Sequence, residues 1–410
     1  MKRLLGYKWE LVFWLFLAFF LNQADRQIFN VLLKDIQTDL CLTSSDMGLV
    51  SSILTLVYGI LVPVAGLMGD RISKKYIILV ALLVWSSATL ATGVSSSLLS
   101  LVLLRSVATG GGEAFYSPSA NALISENHGE ETKATALSIH QTALYLGFIC
   151  SSIIATAIAE AYGWRNSFVF FGGAGILLAF IIAWRIKPDL AKVSTSHHGD
   201  TAKAFKAFFK SPTALLLTLG CAGLQFVGTA FYTWMPTYLQ DPDGFALDRT
   251  RAAFDATFYF QAASIVGVLA GARLGDKYVS KISGIRGWIQ VFGFIFGAPF
   301  IYFMATSASI RIVNLSLFGF GLFKGMYDSN MFASLYEVIE EKYRAAATSF
   351  MLMIGFIVGS VSPYLLGVME PRLGLSNGLA MMSIVYFLSS IPVIVATIFT
   401  MKREKVISLH

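Results

Sequence analysis

Six ionisable residues stand inside stretches that are otherwise apolar, and their types suit moving charge better than cutting bonds. Glu113 follows Gly110-Gly111-Gly112, and Pro118 comes five residues later. Glycines let a second backbone approach and a proline leaves a carbonyl unpaired, so this carboxylate lies where its helix is weakened. A charged acid in an apolar setting is costly; it either carries a proton through a working cycle or sits protonated in a glycine packing patch. Arg105 stands eight residues before Glu113, and Asp25 and Arg26 are adjacent in the first apolar run. Asp25 lies about 24 Å along that helix at 1.5 Å per residue, a depth matching that of Arg105, so the two can pair across helices. The alternative is that Asp25, Arg26 and Arg105 snorkel to the nearer interface. Lys324 and Asp328 share one helix face at i, i+4; they neutralise each other, or Lys324 attracts an anionic group while Asp328 tunes it. Asn121, Tyr116, Tyr327, Gln225 and Gln261 are candidate wall residues. His140, with Gln141, is either part of a gate or an interhelical hydrogen-bond donor. No nucleophile–base pair or phosphate loop accompanies these residues, so an enzyme is disfavoured and no cofactor or metal is expected.

The elements that must hold these charges are membrane spans. The chain is 56% hydrophobic, 14% aromatic and 13% charged, with mean hydropathy +0.67, against roughly 25% charged in soluble domains. The net charge of +7 is spread over short inter-span loops, with no arm or stripe, so nucleic acid is not the expected partner. Cys41, Cys150 and Cys221 have no metal-ligand or disulfide spacing. Apolar runs of about twenty residues fall near 9–34, 46–69, 76–96, 98–124, 134–159, 166–186, 213–239, 252–275, 286–306, 309–335, 345–369 and 376–400. Twelve spans put both termini on one side. If that side is cytoplasmic, its loops and tails carry 22 of the 31 Lys and Arg, against six on the other face. The expected fold is an all-α membrane protein of twelve helices in two pseudo-symmetric six-helix bundles, residues 1–186 and 212–410. A polar linker at 187–211 joins them. Its stretch from Lys203 to Lys210 sets basic residues beside phenylalanines, which suits either a helix lying on an anionic leaflet or a solvated linker.

The two halves repeat each other. Gly66 to Lys75 reads G-L-M-G-D-R-I-S-K-K, and Gly275-Asp276-Lys277 with Lys281 repeats it, the aspartates 206 residues apart. Glu130 to Ser138 is echoed by Glu341 to Ser349, 211 residues on. These loop charges suit conformational control: Asp70 against a helix N-terminus, Arg71 and Lys75 against acids such as Glu126, and plain positive-inside anchoring for Lys74. Gly66, Asp276 and Lys277 complete the gating set.

Twelve spans in two halves, G-x-x-x-D-R-x-x-K-K after span two and Gly163-Trp164-Arg165 before span six resemble the major facilitator superfamily. Ala24-Asp25-Arg26, Trp85-Ser86, Gly112-Glu113-Ala114 and Ser117-Pro118 resemble its spinster-type branch and the organic-anion symporters beside it. The resemblance implies two bundles rocking about a central site, driven by a proton or ion gradient, and places Asp70 against span eleven. The branch pattern sets the span-four arginine seven residues before the glutamate. Eight residues turn Arg105 and Glu113 roughly 80° apart on an ideal helix, so the resemblance implies their pairing only if the glycines between them absorb the difference. The function expected is a proton-coupled secondary transporter of a small organic anion such as a sugar acid. In it Glu113 and Asp25 carry the proton and Arg105, Arg26 and Lys324 are charge partners. The alternative is an exporter of lysolipid-like or drug-like amphipaths. Expected partners are the substrate, a coupling proton or other cation and the lipid bilayer. The chain is expected to be a monomer in a bacterial inner membrane with both termini cytoplasmic.

Overall fold

A computed structural model of the chain describes residues 6–68, 72–188, 198–242, 244–401 and 403–404. Every regular element among them is helical. The first is α1 (Tyr7–Val31), followed by the short α2 (Leu33–Asp39), α3 (Ser44–Met68) and α4 (Lys74–Thr92). Next come α5, an interrupted helix over Leu98–Asn127, then α6 (Glu130–Tyr162) and α7 (Trp164–Arg185). The later elements are α8 (His198–Lys210), α9 (Pro212–Leu239), α10 (Arg249–Tyr278), α11 (Ile285–Thr306) and α12 (Ile310–Tyr336). The chain then runs through α13 (Arg344–Gly359), α14 (Val361–Leu388) and α15 (Ser390–Val395).

Among the described residues, nine segments are long and apolar enough to cross a membrane. α1 and α12 miss that standard because charged residues inside them, Asp25 and Arg26 in α1 and Lys324 and Asp328 in α12, lower their hydropathy. The segment Glu341–Thr400 is split at Gly374, whose φ of 73° is left-handed. Glycine alone tolerates this without strain, and the chain reverses there, making two arms. Gly163, with φ 86°, makes the same kind of reversal between α6 and α7. Trp164 and Arg165 beyond it both donate to Asp39 Oδ2, at 3.3 and 2.5 Å. α9 starts where Pro212 occupies the first turn and Ser211 Oγ accepts from the Ala214 N–H at 3.0 Å.

Two compact units result. One holds α1 to α7 together with residues 248–254; the other holds α8, α9 and residues from 255 onward. In the first, α1 lies against α6, where a Cβ on Gly147 would come 2.9 Å from the Phe20 carbonyl. α4 lies against α7, where one on Gly172 would come 2.4 Å from the Leu90 nitrogen. In the second, Gly321 and Gly325 of α12 meet the Phe260 and Ser264 carbonyls of α10 at 2.2 and 2.3 Å by the same measure. Helices packed this closely exclude side chains between them, so the remaining large apolar side chains point outward. Leu177, Phe180 and Trp184 of α7 are 62%, 66% and 83% exposed, a surface that only hydrocarbon covers without penalty.

Candidate functional site

In the first unit the buried charges gather around one point on α1. Asp25 and Glu113 are buried, as is Arg105, while the Arg26 side chain keeps 20% exposure. Arg26 Nε donates to Glu113 Oε2 at 2.6 Å, and the Arg26 guanidinium lies 4.0 Å from the centre of the Tyr58 ring on α3. Asp25 Oδ2 accepts from the Thr89 hydroxyl of α4 at 2.9 Å. Arg105 Nη2 donates to the Asp25 backbone carbonyl at 2.6 Å, and its guanidinium lies 5.6 Å from the Phe29 ring. The expected Asp25–Arg105 side-chain pair is therefore corrected. Arg105 holds the backbone of Asp25, and the carboxylate turns to Thr89. Snorkelling is likewise overturned for Asp25 and Arg105, which are 4% and 1% exposed.

The eight-residue spacing of Arg105 and Glu113 is explained by a π-helical turn over Val102–Ala108. Such a turn closes i→i+5 and takes in one residue more than an α turn, so eight residues here do the work of seven. The Leu104 carbonyl receives both the N–H and, at 2.9 Å, the hydroxyl of Thr109. The extra residue is thus taken up before the glycines. Those serve packing: a Cβ on Gly110 would lie 2.9 Å from the Leu54 carbonyl, and one on Gly112 2.9 Å from the Trp85 nitrogen. A second break falls at Phe115, just before the turn containing Pro118. Even with the register restored, the carboxylate of Glu113 is bonded to Arg26 and not to Arg105.

Several protein groups at this point have polar atoms without a protein partner among the described residues: Arg26 Nη2, Arg105 Nε and Nη1, Glu113 Oε1 and Asn22 Nδ2; Asn121 Oδ1, two turns beyond Glu113 on α5, likewise has none. With Asp25 the cluster holds two cations and two acids, with donors and acceptors to spare. Chemically it can exchange a proton for an ion pair, or an ion pair for an anion.

Tyr116 and His140 lie apart from it. The Tyr116 hydroxyl donates to the Leu15 carbonyl at 2.5 Å and lies 3.1 Å from His140 Nε2, while His140 stacks on Phe19 at 4.7 Å. Both residues are fully buried in helix packing, so neither forms a wall or gate surface in this conformation.

The second unit has its own polar cluster on α12. Lys324 Nζ donates to Asp328 Oδ2 at 2.5 Å, with 15% and 27% exposure, and lies 6.0 Å from the Phe260 ring. Gln261 is buried with its Nε2 unpartnered, and Gln225 is half-buried beside Gly355 and Gly359. Tyr327 is buried against Phe294, with ring centres 4.7 Å apart, and offers no wall surface either. Among the gating residues, Asp70 and Arg71 lie outside the described residues, as do Lys192 and His197 of the linker. Gly66 sits in the last turn of α3. Lys74, not Lys75, pairs with Glu126, at 2.9 Å, while Lys75 is buried and donates to the Ala183 carbonyl at 2.8 Å. Adjacent residues point about 100° apart on a helix, so only one of them reaches the acid. Asp276 accepts from Arg286 at 3.1 Å, and Lys277 lies over the Tyr278 ring.

The sequence reading missed Tyr58, Thr89 and Asp255. Asp255 is fully buried and accepts from Asn314 at 3.2 Å. As an acid inside an apolar run it carries the same signal as Glu113; Tyr58 and Thr89 carry none.

The family model of the Major Facilitator Superfamily matches residues 15–363. The chain belongs to the major facilitator superfamily. This membership makes it a transporter and not an enzyme. It is 25% identical to a hexuronate transporter of Bacillus subtilis over 90% of both chains. It is 28% identical to a spinster homologue 1 of Xenopus tropicalis, over 88% of this chain and 72% of that one. Its fold matches the crystal structure of a bacterial homologue of the human lysosomal transporter spinster, in an inward-facing, occupied conformation. The TM-score there is 0.82 at 18% identity, over 97% and 98% of the two chains.

Proposed function

We propose that this superfamily member carries a small organic anion of the sugar-acid class by proton-coupled alternating access. The observation that carries this reading is the Arg26–Glu113 pair at 2.6 Å, with the cation partly exposed and the acid wholly buried. While Glu113 is ionised it occupies Arg26. When Glu113 takes a proton, Arg26 is left with a charge in need of an anion, and a substrate carboxylate satisfies it. Loading of the proton and of the substrate then require each other. Asp25, held by Thr89, is the second proton site, and Arg105 fixes the α1 backbone between them. Lys324, with Asp328 as its resting partner, is the cation offered by the second unit. Asp70, Arg71 and Lys75, with Asp276 and Lys277 at the matching place, weight the conformations. The hexuronate name of the bacterial relative supports the substrate class. We place both termini in the cytoplasm of a bacterium, on the positive-inside count, and take one chain as the working unit.

One observation favours the alternative, an exporter of lysolipid-like amphipaths. An apolar cavity of about 320 Å³ lies among the end of α3, α4 and α5, bounded by Tyr76, Val80, Val84, Gly111, Gly112 and Phe115. An alkyl tail fits such a lining.

The experiment is proton flux in proteoliposomes with an internal pH dye, offering D-glucuronate or lysophosphatidylcholine to wild type and Glu113→Gln. Flux with glucuronate that is lost in the variant supports the symport reading. Flux with lysophosphatidylcholine alone replaces it with the exporter. Flux unaltered by the substitution removes Glu113 from the coupling step.

A further inference from the structure

We propose that α8, the start of α9 and the C-terminal stretch beside them bind the headgroup of an anionic phospholipid. α8 leads within two residues into α9, whose first residue, Pro212, begins a span. It therefore sits where hydrocarbon gives way to headgroups. Its two faces differ. Ala204 and Phe208 are buried, and Phe208 packs on Phe350 of α13 with ring centres 5.8 Å apart. Phe205 and Phe209 are 50% and 40% exposed and lie 4.3 Å from each other. Lys203, Lys206 and Lys210 are exposed beside them. Apolar rings and ammonium groups on one outward surface suit an interface of acyl chains and phosphates.

A cavity of about 500 Å³ opens at the end of this helix, bounded by Lys210, Ser211, Pro212, Glu340, Arg403 and Glu404. Both acids are already engaged. Glu404 accepts from the Ser211 hydroxyl at 2.5 Å and from the Thr213 N–H at 3.1 Å, and Glu340 pairs with Lys342 at 2.7 Å. Among the described residues neither Lys210 nor Arg403 is ion-paired. The cavity thus presents two cations, and the exposed phenylalanines of α8 lead up to it, as the phosphodiester and glycerol end of a phospholipid require.

The test is native mass spectrometry of the full-length protein in detergent, titrated with palmitoyl-oleoyl phosphatidylglycerol or with the phosphatidylcholine of the same chains. Wild type should hold one phosphatidylglycerol in clear preference to phosphatidylcholine. The double variant Lys210→Gln/Arg403→Gln should bind it about 30-fold more weakly, from roughly fivefold per basic residue at a charged surface. Arg372→Gln, an exposed residue outside this cavity, should change nothing, and Phe205→Ala/Phe209→Ala should weaken the lipid while leaving inorganic phosphate without effect. All three are exposed-residue variants, and matching melting curves check that each is folded. Equal binding of the two lipids, or undiminished phosphatidylglycerol binding in the Lys210/Arg403 variant, overturns the proposal. Displacement of the lipid by millimolar inorganic phosphate overturns the lipid assignment in favour of a free-phosphate site.

Discussion

Glu113→Gln is the perturbation that isolates the coupling step. The four charges Asp25, Arg26, Arg105 and Glu113 balance, and removing the acid leaves an excess of one positive charge beside a partly exposed guanidinium. Two unit charges about 4 Å apart attract by about 4 kcal/mol at an effective dielectric of 20. That is the attraction an anion must overcome to take Arg26 from an ionised Glu113, close to a thousandfold in affinity. Arg26 is 20% exposed, so solvent screens part of it, and we expect the variant to gain roughly 10- to 100-fold in affinity over wild type with a charged Glu113. The assay is titration calorimetry of D-glucuronate with purified protein across pH 5.5 to 8.5. Wild type should bind more weakly as pH rises, and Glu113→Gln should bind with an affinity that no longer follows pH. In proteoliposomes the variant should keep counterflow exchange and lose uptake driven by a pH gradient. A pH dependence of binding identical in wild type and variant would refute the reasoning, because among the described residues Arg26 is ion-paired with Glu113 alone.

Four further outcomes follow from the same geometry. Deleting Val107, which is 43% exposed inside the π turn, should return the turn to regular α-helix and preserve transport, whereas inserting one residue there should abolish it; uptake assays compare the two. Arg105→Lys should lose the fork that reaches the Asp25 carbonyl at 2.6 Å, costing about 1.5–3 kcal/mol in thermal unfolding and most of the transport rate. Gly112→Val should destabilise by about 1–3 kcal/mol, since its Cβ meets the Trp85 backbone at 2.9 Å, while Gly111→Ala, with only Leu61 at 3.8 Å, should melt as wild type does. Hydrogen bonds from Arg165 and Trp164 hold the Asp39 carboxyl below its usual range. Its contribution is therefore complete above the ordinary carboxylate pKa and is lost as pH falls through the lowered value. Melting curves below pH 4 should show a small acid-induced loss that Asp39→Asn lacks.

The spans and the polar residues inside them were legible because hydrocarbon leaves so few places for a charge. Their pairing was not. Ideal-helix geometry separates Arg105 from Glu113, and nothing in V-L-L-R-S-V-A announces a π turn; only the neighbouring helices decide where an extra residue is absorbed. The same limit swapped Lys74 and Lys75, since one position of helix rotation sends one lysine to Glu126 and the other to the Ala183 carbonyl. Tyr116 and His140 have polar tips but are enclosed by Phe19, Trp85 and the α1 backbone, a packing that no local pattern encodes. Asp255 carries the same signal as Glu113, an acid inside an apolar run, and is as legible in the sequence. Tyr58 and Thr89 are ordinary residues in an apolar run until the fold brings Arg26 and Asp25 to them.

Asp25 and Arg26 are adjacent on α1. Neighbours on a helix point about 100° apart, so Asp25 faces α4 and its Thr89 hydroxyl while Arg26 faces α5 and Glu113. Between them the Asp25 carbonyl is held by Arg105, buried and bound at 2.6 Å. A change of charge on either side chain therefore acts on a backbone segment fixed from α5, the helix that also bears Glu113. If Arg105 took the substrate, as its charge alone suggests, that hold on α1 would be released with every cycle and its 1%-exposed guanidinium would first have to be uncovered. Arg26 needs neither. It already meets solvent and is already paired with an acid, and the aromatic face of Tyr58 at 4.0 Å steadies its guanidinium. In the proposed symport cycle burial sets the division of labour: Arg105 would position the α1 backbone, Arg26 would bind the anion, and Glu113 would time it.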